Sequence, residues 1–143
     1  NQSGISRGFY NWDDFYRVNQ RMIELIGKPN PIYSIYANIH ISLNINNWRK
    51  PNPHIINHAA DRFNINFSKS ILIGDRISDM LAGLNSGINN LFHVETGQGI
   101  NERNQISKNI NKHGFFSYLG LLSEIILLEN SNSFPYKMLN KKI

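Results

Sequence analysis

Residues 70–80 read Ser70-Ile71-Leu72-Ile73-Gly74-Asp75-Arg76-Ile77-Ser78-Asp79-Met80. A short apolar run, rich in isoleucine, passes through one glycine into two carboxylates spaced four residues apart. Short apolar runs bounded by turn signals read as buried parallel strands. The polar part that follows reads as a turn opening a helix from about residue 76 to 86, with Gly87 just past its end, where a left-handed cap favours glycine. Open α/β sheets bind their ligands beyond the carboxyl ends of the strands, so Asp75 stands where a metal or phosphate would be held. Asp is also a favoured helix N-cap, and at this level both readings of Asp75 are open.

Working outward, helices and strands alternate. Residues 13–26 carry Phe15, Val18, Met22, Ile23, Leu25 and Ile26 at helical spacing, with Asn11 or Asp13 as N-cap and Gly27 and Pro29 at the end. Residues 32–37 are rich in β-formers and predict a strand. Residues 38–48 predict a loop, and 55–63 a helix with Ile55, Ile56, Ala59 and Phe63 inward. A strand follows at 70–74, another at 90–94, then a loop at Thr96-Gly97-Gln98-Gly99. A last helix is expected over about 116–129. This order predicts an α/β fold of Rossmann-like type, a parallel sheet covered by helices, in a single domain over 1–143. Three strands are few for such a sheet. The expectation is therefore a domain truncated at its front.

Composition narrows the class. The 143 residues are 41% hydrophobic and 17% charged, as in a globular protein with one core. No apolar run approaches the roughly 18 residues that span a bilayer; the longest candidate, 115–128, is interrupted by Ser117, Gly120, Ser123 and Glu124. No membrane association is expected, and a cytoplasmic location is. Cysteine is absent, which excludes disulfides and thiolate metal sites. The net charge of +5 is spread along the chain apart from Lys137, Lys141 and Lys142, which favours a phosphate pocket over a nucleic-acid footprint.

Two further segments bear on chemistry. Asn1-Gln2-Ser3-Gly4-Ile5-Ser6-Arg7-Gly8 is a polar, glycine-punctuated loop able to cradle an oxyanion. Trp48-Arg49-Lys50-Pro51-Asn52-Pro53 sets two adjacent cations at a rigid junction, Arg suited to bidentate phosphate contact and Lys to a point charge. In order and spacing, these two and the Gly74–Met80 turn resemble the later motifs of the haloacid-dehalogenase-type (HAD) phosphohydrolases. The resemblance is to the branch holding heptose bisphosphate phosphatases and histidinol-phosphatase domains. The Ser-Gly-Ile-x-Arg-Gly form in residues 3–8 favours the heptose type, and the matches span positions 1 to about 99.

The resemblance implies a Mg²⁺-dependent phosphomonoester hydrolase acting on a small phosphorylated sugar through an aspartyl-phosphate. The alternatives are histidinol phosphate or a polynucleotide 3′-phosphate as substrate, or an inactive phosphate-binding module. It implies Lys50 and Asp75 as catalytic groups and Asp75 and Asp79 at the metal, Asp79 either beside it or orienting Lys50. Asn1, Gln2, Ser3, Arg7, Arg49 and Arg76 would contact substrate. The Cys and His that bind a structural zinc in relatives correspond here to Ala37, Ile39, Asn46 and Trp48, so no zinc is expected. The family's Asp-x-Asp pair, which holds the nucleophile, is absent: the five aspartates are Asp13, Asp14, Asp61, Asp75 and Asp79, and no two are separated by one residue. The expectation is truncation rather than natural loss.

Overall fold

The computed structural model describes residues 1–41, 47–110 and 117–120. These fall into two compact units that divide between Arg49 and Lys50.

The first unit, Asn1–Arg49, opens with α1 (Ser3–Ser6), a single helical turn where a loop was expected, followed by α2 (Trp12–Ile26). The start of α2 is set by Asn11: its side chain accepts the Asp14 backbone N–H at 2.9 Å, and the Asp14 carboxylate accepts the Asn11 backbone N–H at 3.0 Å. This reciprocal capping satisfies two of the amides a helix leaves open. The helix ends at Gly27, as expected. Residues 32–37, by contrast, carry no regular structure. A strand exists only where a neighbour completes its ladder, and no strand of this unit lies among the described residues to do so. Pro29 and Pro31 further remove two amide donors at its entrance.

The second unit, from Lys50 onward, holds a three-stranded parallel sheet in the order β1 (Ile71–Gly74), β2 (Asn90–Val94), β3 (Ser117–Gly120). Ile71 stands beside Asn90 and Gly74 beside His93, and Leu91 beside Ser117. Helix α3 (His54–Phe63) packs on α4 (Ile77–Ser86), which lies against β1, β2 and α5 (Gly99–Ile110). The core is Met80, Ile88, Leu91 and Ile106, with Leu72, Ile77 and Leu84 packed on it. As expected, α4 closes at Gly87, which has φ of 90°. A mixed helix–strand chain with a parallel sheet and crossover helices is a Rossmann-like α/β fold, the class the sequence predicts.

Two expectations are corrected here. Residues 117–120 are a strand, not the opening of a helix, because β2 uses its second edge to pair with them; residues 121–129 lie outside the described residues. The segment after the 96–99 turn forms α5, which the sequence reading did not assign. Its apolar content is low, and among its described side chains Ile106 is the one fully buried in the core. Among the described residues the sheet has three strands, with 117–120 among them and 32–37 not.

Candidate active site

In the second unit, β1 delivers Asp75 to the carboxyl end of the sheet, and α4 begins one residue beyond Arg76. Asp75 does not cap that helix. Its Oδ2 instead accepts the Gln98 backbone N–H at 2.8 Å, from the turn between β2 and α5. The helix is capped by Asp79, whose Oδ2 accepts the Arg76 N–H at 3.0 Å. A carboxylate in the first turn also lies at the positive end of the helix dipole.

Asp79 is buried, and its other oxygen, Oδ1, pairs with Lys50 Nζ. Both oxygens of Asp79 are thus engaged by cationic or amide donors. The turn that carries Lys50 is tied to α4 a second time, where Asn85 Nδ2 donates to the Pro51 carbonyl at 3.0 Å. Lys50 is held at both ends of its short segment rather than left to swing. Gly74 leaves the room this needs: a Cβ there would run into the Asp79 side chain, with Oδ2 at 2.7 Å.

His93, on β2 beside Gly74, is fully buried and places Nε2 3.0 Å from the Asp75 carbonyl oxygen. A carbonyl only accepts, so Nε2 carries the proton. Burial holds the imidazole below its ordinary pKa, although the hydrogen bond to the Asp75 carbonyl works in the opposite direction. The ring is neutral, and Nδ1 finds no hydrogen-bond partner among the described residues. Glu102, from α5, accepts the Ile77 N–H at 2.7 Å and lies 3.8 Å from Arg76 Nη1. The Arg76 side chain is about half exposed.

In the first unit, Gln2 N–H donates to the Asn38 carbonyl at 2.6 Å, and Ser6 Oγ to the Ile39 carbonyl at 2.7 Å. Asn38 Nδ2 reaches Asn1 Oδ1 at 3.4 Å, and Tyr10 OH donates to Gln2 Oε1. Ser3 is half-buried in α1, and Arg7 is exposed just after it. Arg49 Nη1 donates to the His40 carbonyl at 3.1 Å, and its own N–H goes to Asn47 Oδ1 at 2.7 Å. Asn1, Gln2 and the 38–40 backbone are thus one hydrogen-bonded assembly.

Of the expected residues, the structure joins Lys50 to Asp79, and it places Asp75 and Arg76 on consecutive positions at the sheet's edge. His93, Gln98 and Glu102 were missed. A histidine in an apolar strand and a glutamate in an unassigned helix carry no motif, and the Gln98 contribution is a backbone amide.

Among the described residues no cluster of three His, Asp or Glu could hold a metal by itself. Asp75 nonetheless fits Mg²⁺ as one ligand, since magnesium is held through one or two carboxylates with water and substrate phosphate oxygens completing its shell. Its Oδ1 accepts no hydrogen bond from any described residue, while Oδ2 is held in place.

The second unit thus sets an aspartate at the carboxyl edge of a parallel sheet, followed by a helix whose buried Asp79 pairs with Lys50, within an α/β fold. The HAD-hydrolase-like family model matches residues 47–119, just over half of the chain, and the chain belongs to that family. It is similar to the D-glycero-alpha-D-manno-heptose-1,7-bisphosphate 7-phosphatase of Campylobacter jejuni, 40% identical over 95 residues that cover 66% of this chain and 54% of that protein. A D-glycero-beta-D-manno-heptose-1,7-bisphosphate 7-phosphatase of Helicobacter pylori is also 40% identical, over 98 residues covering 66% and 57%. The chain spans about half the length of the curated relatives it matches. Among solved structures, the D,D-heptose 1.7-bisphosphate phosphatase from B. bronchiseptica, complexed with magnesium and phosphate, matches with a TM-score of 0.72. It is 21% identical, over 90% of this chain and 72% of that one, a likeness that shows the fold.

Proposed function

We propose that this chain carries the lysine and metal-binding part of a Mg²⁺-dependent phosphomonoester hydrolase whose substrate is a sugar bisphosphate of the heptose type. The observation that carries the reading is the Lys50–Asp79 ion pair at the base of α4, next along the chain from Asp75 at the end of β1. The names of the relatives support the substrate.

Each residue has a distinct task in this reading. Asp79 spends its charge on Lys50 and the Arg76 amide, so it orients the lysine and leaves the metal to Asp75. Lys50 presents a fixed ammonium to the phosphoryl oxygens, where positive charge stabilises a phosphoryl-transfer transition state. Asp75 offers Oδ1 to magnesium, which when bound offsets charge on the phosphate. Arg76, half exposed, and the donors of Asn1, Gln2, Ser3, Arg7 and Arg49 bind the rest of the substrate. The attacking carboxylate comes from outside these 143 residues, because no Asp-x-Asp pair occurs in them. Hydrolysis of this kind serves lipopolysaccharide or related glycan precursor synthesis, in the cytoplasm.

The test is phosphate release by the polypeptide as its gene encodes it, with heptose bisphosphate, histidinol phosphate and a 3′-phosphorylated oligonucleotide compared. We expect Mg²⁺-dependent turnover of the heptose bisphosphate, abolished by Asp75→Asn. Turnover of either competitor alone overturns the substrate, and full activity of the Asp75→Asn variant overturns the role of that carboxylate.

A further inference from the structure

The β2–α5 junction surrounds Asp75 more closely than a connecting turn needs to. Three independent contacts meet there. His93 donates from Nε2 to the Asp75 carbonyl at 3.0 Å, fixing the backbone at the end of β1. The Gln98 N–H donates to Asp75 Oδ2 at 2.8 Å, fixing the carboxylate. Gly97, with φ of 65°, leaves the space the carboxylate occupies: a Cβ at this position would collide with Oδ2 and come within 3.0 Å of Cγ. Only glycine adopts that backbone freely and also gives up that volume.

The burial of His93 makes its single bond informative. Desolvating an imidazole is costly, and here Nδ1 is left without a partner among the described residues. A leucine at the same strand position would pack the core without that cost. What the histidine adds is one donor aimed at one carbonyl.

We propose that the β2–α5 turn is a clamp that aims the Asp75 carboxylate, with His93 and Gly97 as positioning residues for divalent-cation binding through Oδ1. The clamp acts on both ends of Asp75. His93 sets where the Cα of Asp75 sits, and the Gln98 amide sets the plane of its carboxylate. With Oδ2 engaged by the amide, Oδ1, which accepts no hydrogen bond from a described residue, is the oxygen left to ligate. Magnesium demands near-ideal octahedral geometry, so a carboxylate held in one orientation loses less on binding it than a freely rotating one. The inference rests on the reading of Asp75 as a magnesium ligand.

The test uses the polypeptide as its gene encodes it, ¹⁵N-labelled, titrated with Mg²⁺ and followed at the Asp75 and Gln98 amide resonances. Four variants are compared: Gly97→Ala, His93→Leu, His93→Gln and Asp75→Asn. In the starting protein the Gln98 amide proton is expected downfield, the signature of a bond to a carboxylate, and is expected to move as Mg²⁺ binds. Supporting groups around a metal ligand are worth about 10-fold to 100-fold in affinity, so Gly97→Ala and His93→Leu are each expected to weaken Mg²⁺ binding by about 10-fold or more. His93→Gln keeps a donor in reach of the Asp75 carbonyl and recovers most of that loss, which restored packing alone does not explain. Gly97 lies in an exposed turn, so its variant reports even where a change at the buried His93 unfolds the chain. Unchanged Mg²⁺ affinity in a folded Gly97→Ala chain overturns the clamp. A flat titration in the starting protein, identical to that of Asp75→Asn, overturns the metal reading and the clamp with it. The downfield Gln98 amide then separates this case from a turn that never held the carboxylate.

Discussion

Replacing Asp79 with asparagine isolates the ion pair that organises the base of α4. Asparagine keeps an oxygen for the Arg76 amide, so the helix cap survives, but it turns an uncharged NH₂ toward the Lys50 ammonium. Breaking one partner of a fully buried pair costs roughly 3–5 kcal/mol. Here the Asp79 side chain is 8% exposed and that of Lys50 is 30% exposed, so water recovers part of the loss on the lysine. A charge-assisted hydrogen bond in that setting is worth about 2 kcal/mol, which we take as the expected cost of Asp79→Asn. Asp79→Ala also removes the acceptor for the Arg76 amide and should cost about 3 kcal/mol. Urea unfolding measures both: with an m-value of about 2 kcal/mol/M, Asp79→Asn lowers the midpoint by about 1 M while leaving m unchanged. A double-mutant cycle with Lys50→Met then assigns the energy to the pair, with an expected coupling of about 1–2 kcal/mol. Coupling below about 0.3 kcal/mol would mean that Lys50 and Asp79 stabilise the fold independently. The argument that Asp79 exists to hold the lysine would then be refuted.

Two more outcomes follow from the local geometry. The Asn11 amide and the Arg17 guanidinium together hold the Asp14 carboxyl below the ordinary carboxylate range. A depressed carboxylate contributes stability above its unfolded pKa and loses it as pH falls through the folded one. Carboxyl NMR should therefore find Asp14 titrating below the ordinary carboxylate range; Asn11→Ala should cost α2 about 1 kcal/mol through the lost cap. An Asp14 that titrates in the ordinary carboxylate range would contradict the reciprocal cap. Gly74→Ala forces a methyl against the Asp79 side chain, an overpacking cost of about 1–3 kcal/mol that thermal unfolding would show as a drop of about 5 °C. A Tm equal to that of the unsubstituted chain would show that Asp79 moves aside freely.

The elements read correctly from sequence share one property: their signals are local. Asn11 at the start of α2, Gly87 at the end of α4, and the apolar runs of β1 and β2 each act within a few residues. Residues 32–37 and 117–120 show the opposite case. Ile32-Tyr33-Ser34-Ile35-Tyr36-Ala37 is the richer in β-formers, yet Ser117-Tyr118-Leu119-Gly120 is the strand, because β2 offers it an edge. Local propensity ranks the two the wrong way round, since pairing with a neighbour decides. Helix α5 was invisible for a related reason: it is anchored in the core by Ile106, too sparse a pattern to show helical period.

The candidate site divides along the same line. Lys50, Asp75 and Asp79 were legible because their chemistry lies in side chains whose type and spacing are written in the sequence. The groups that aim them were not. Asp75 is held by the amide of Gln98, which any non-proline residue could supply, and by His93, which stands 18 residues away and reaches Asp75 only because β1 and β2 pair in parallel register. Gly97 contributes an absence of atoms. Identity of the reacting groups is therefore encoded in residue type, whereas their orientation is encoded in the pairing of two strands. That division has a consequence for how the site fails. In the proposed reading, a change at Asp75 removes the ligand outright. A change at His93 or Gly97 leaves every expected residue in place and should still weaken the binding of the cation.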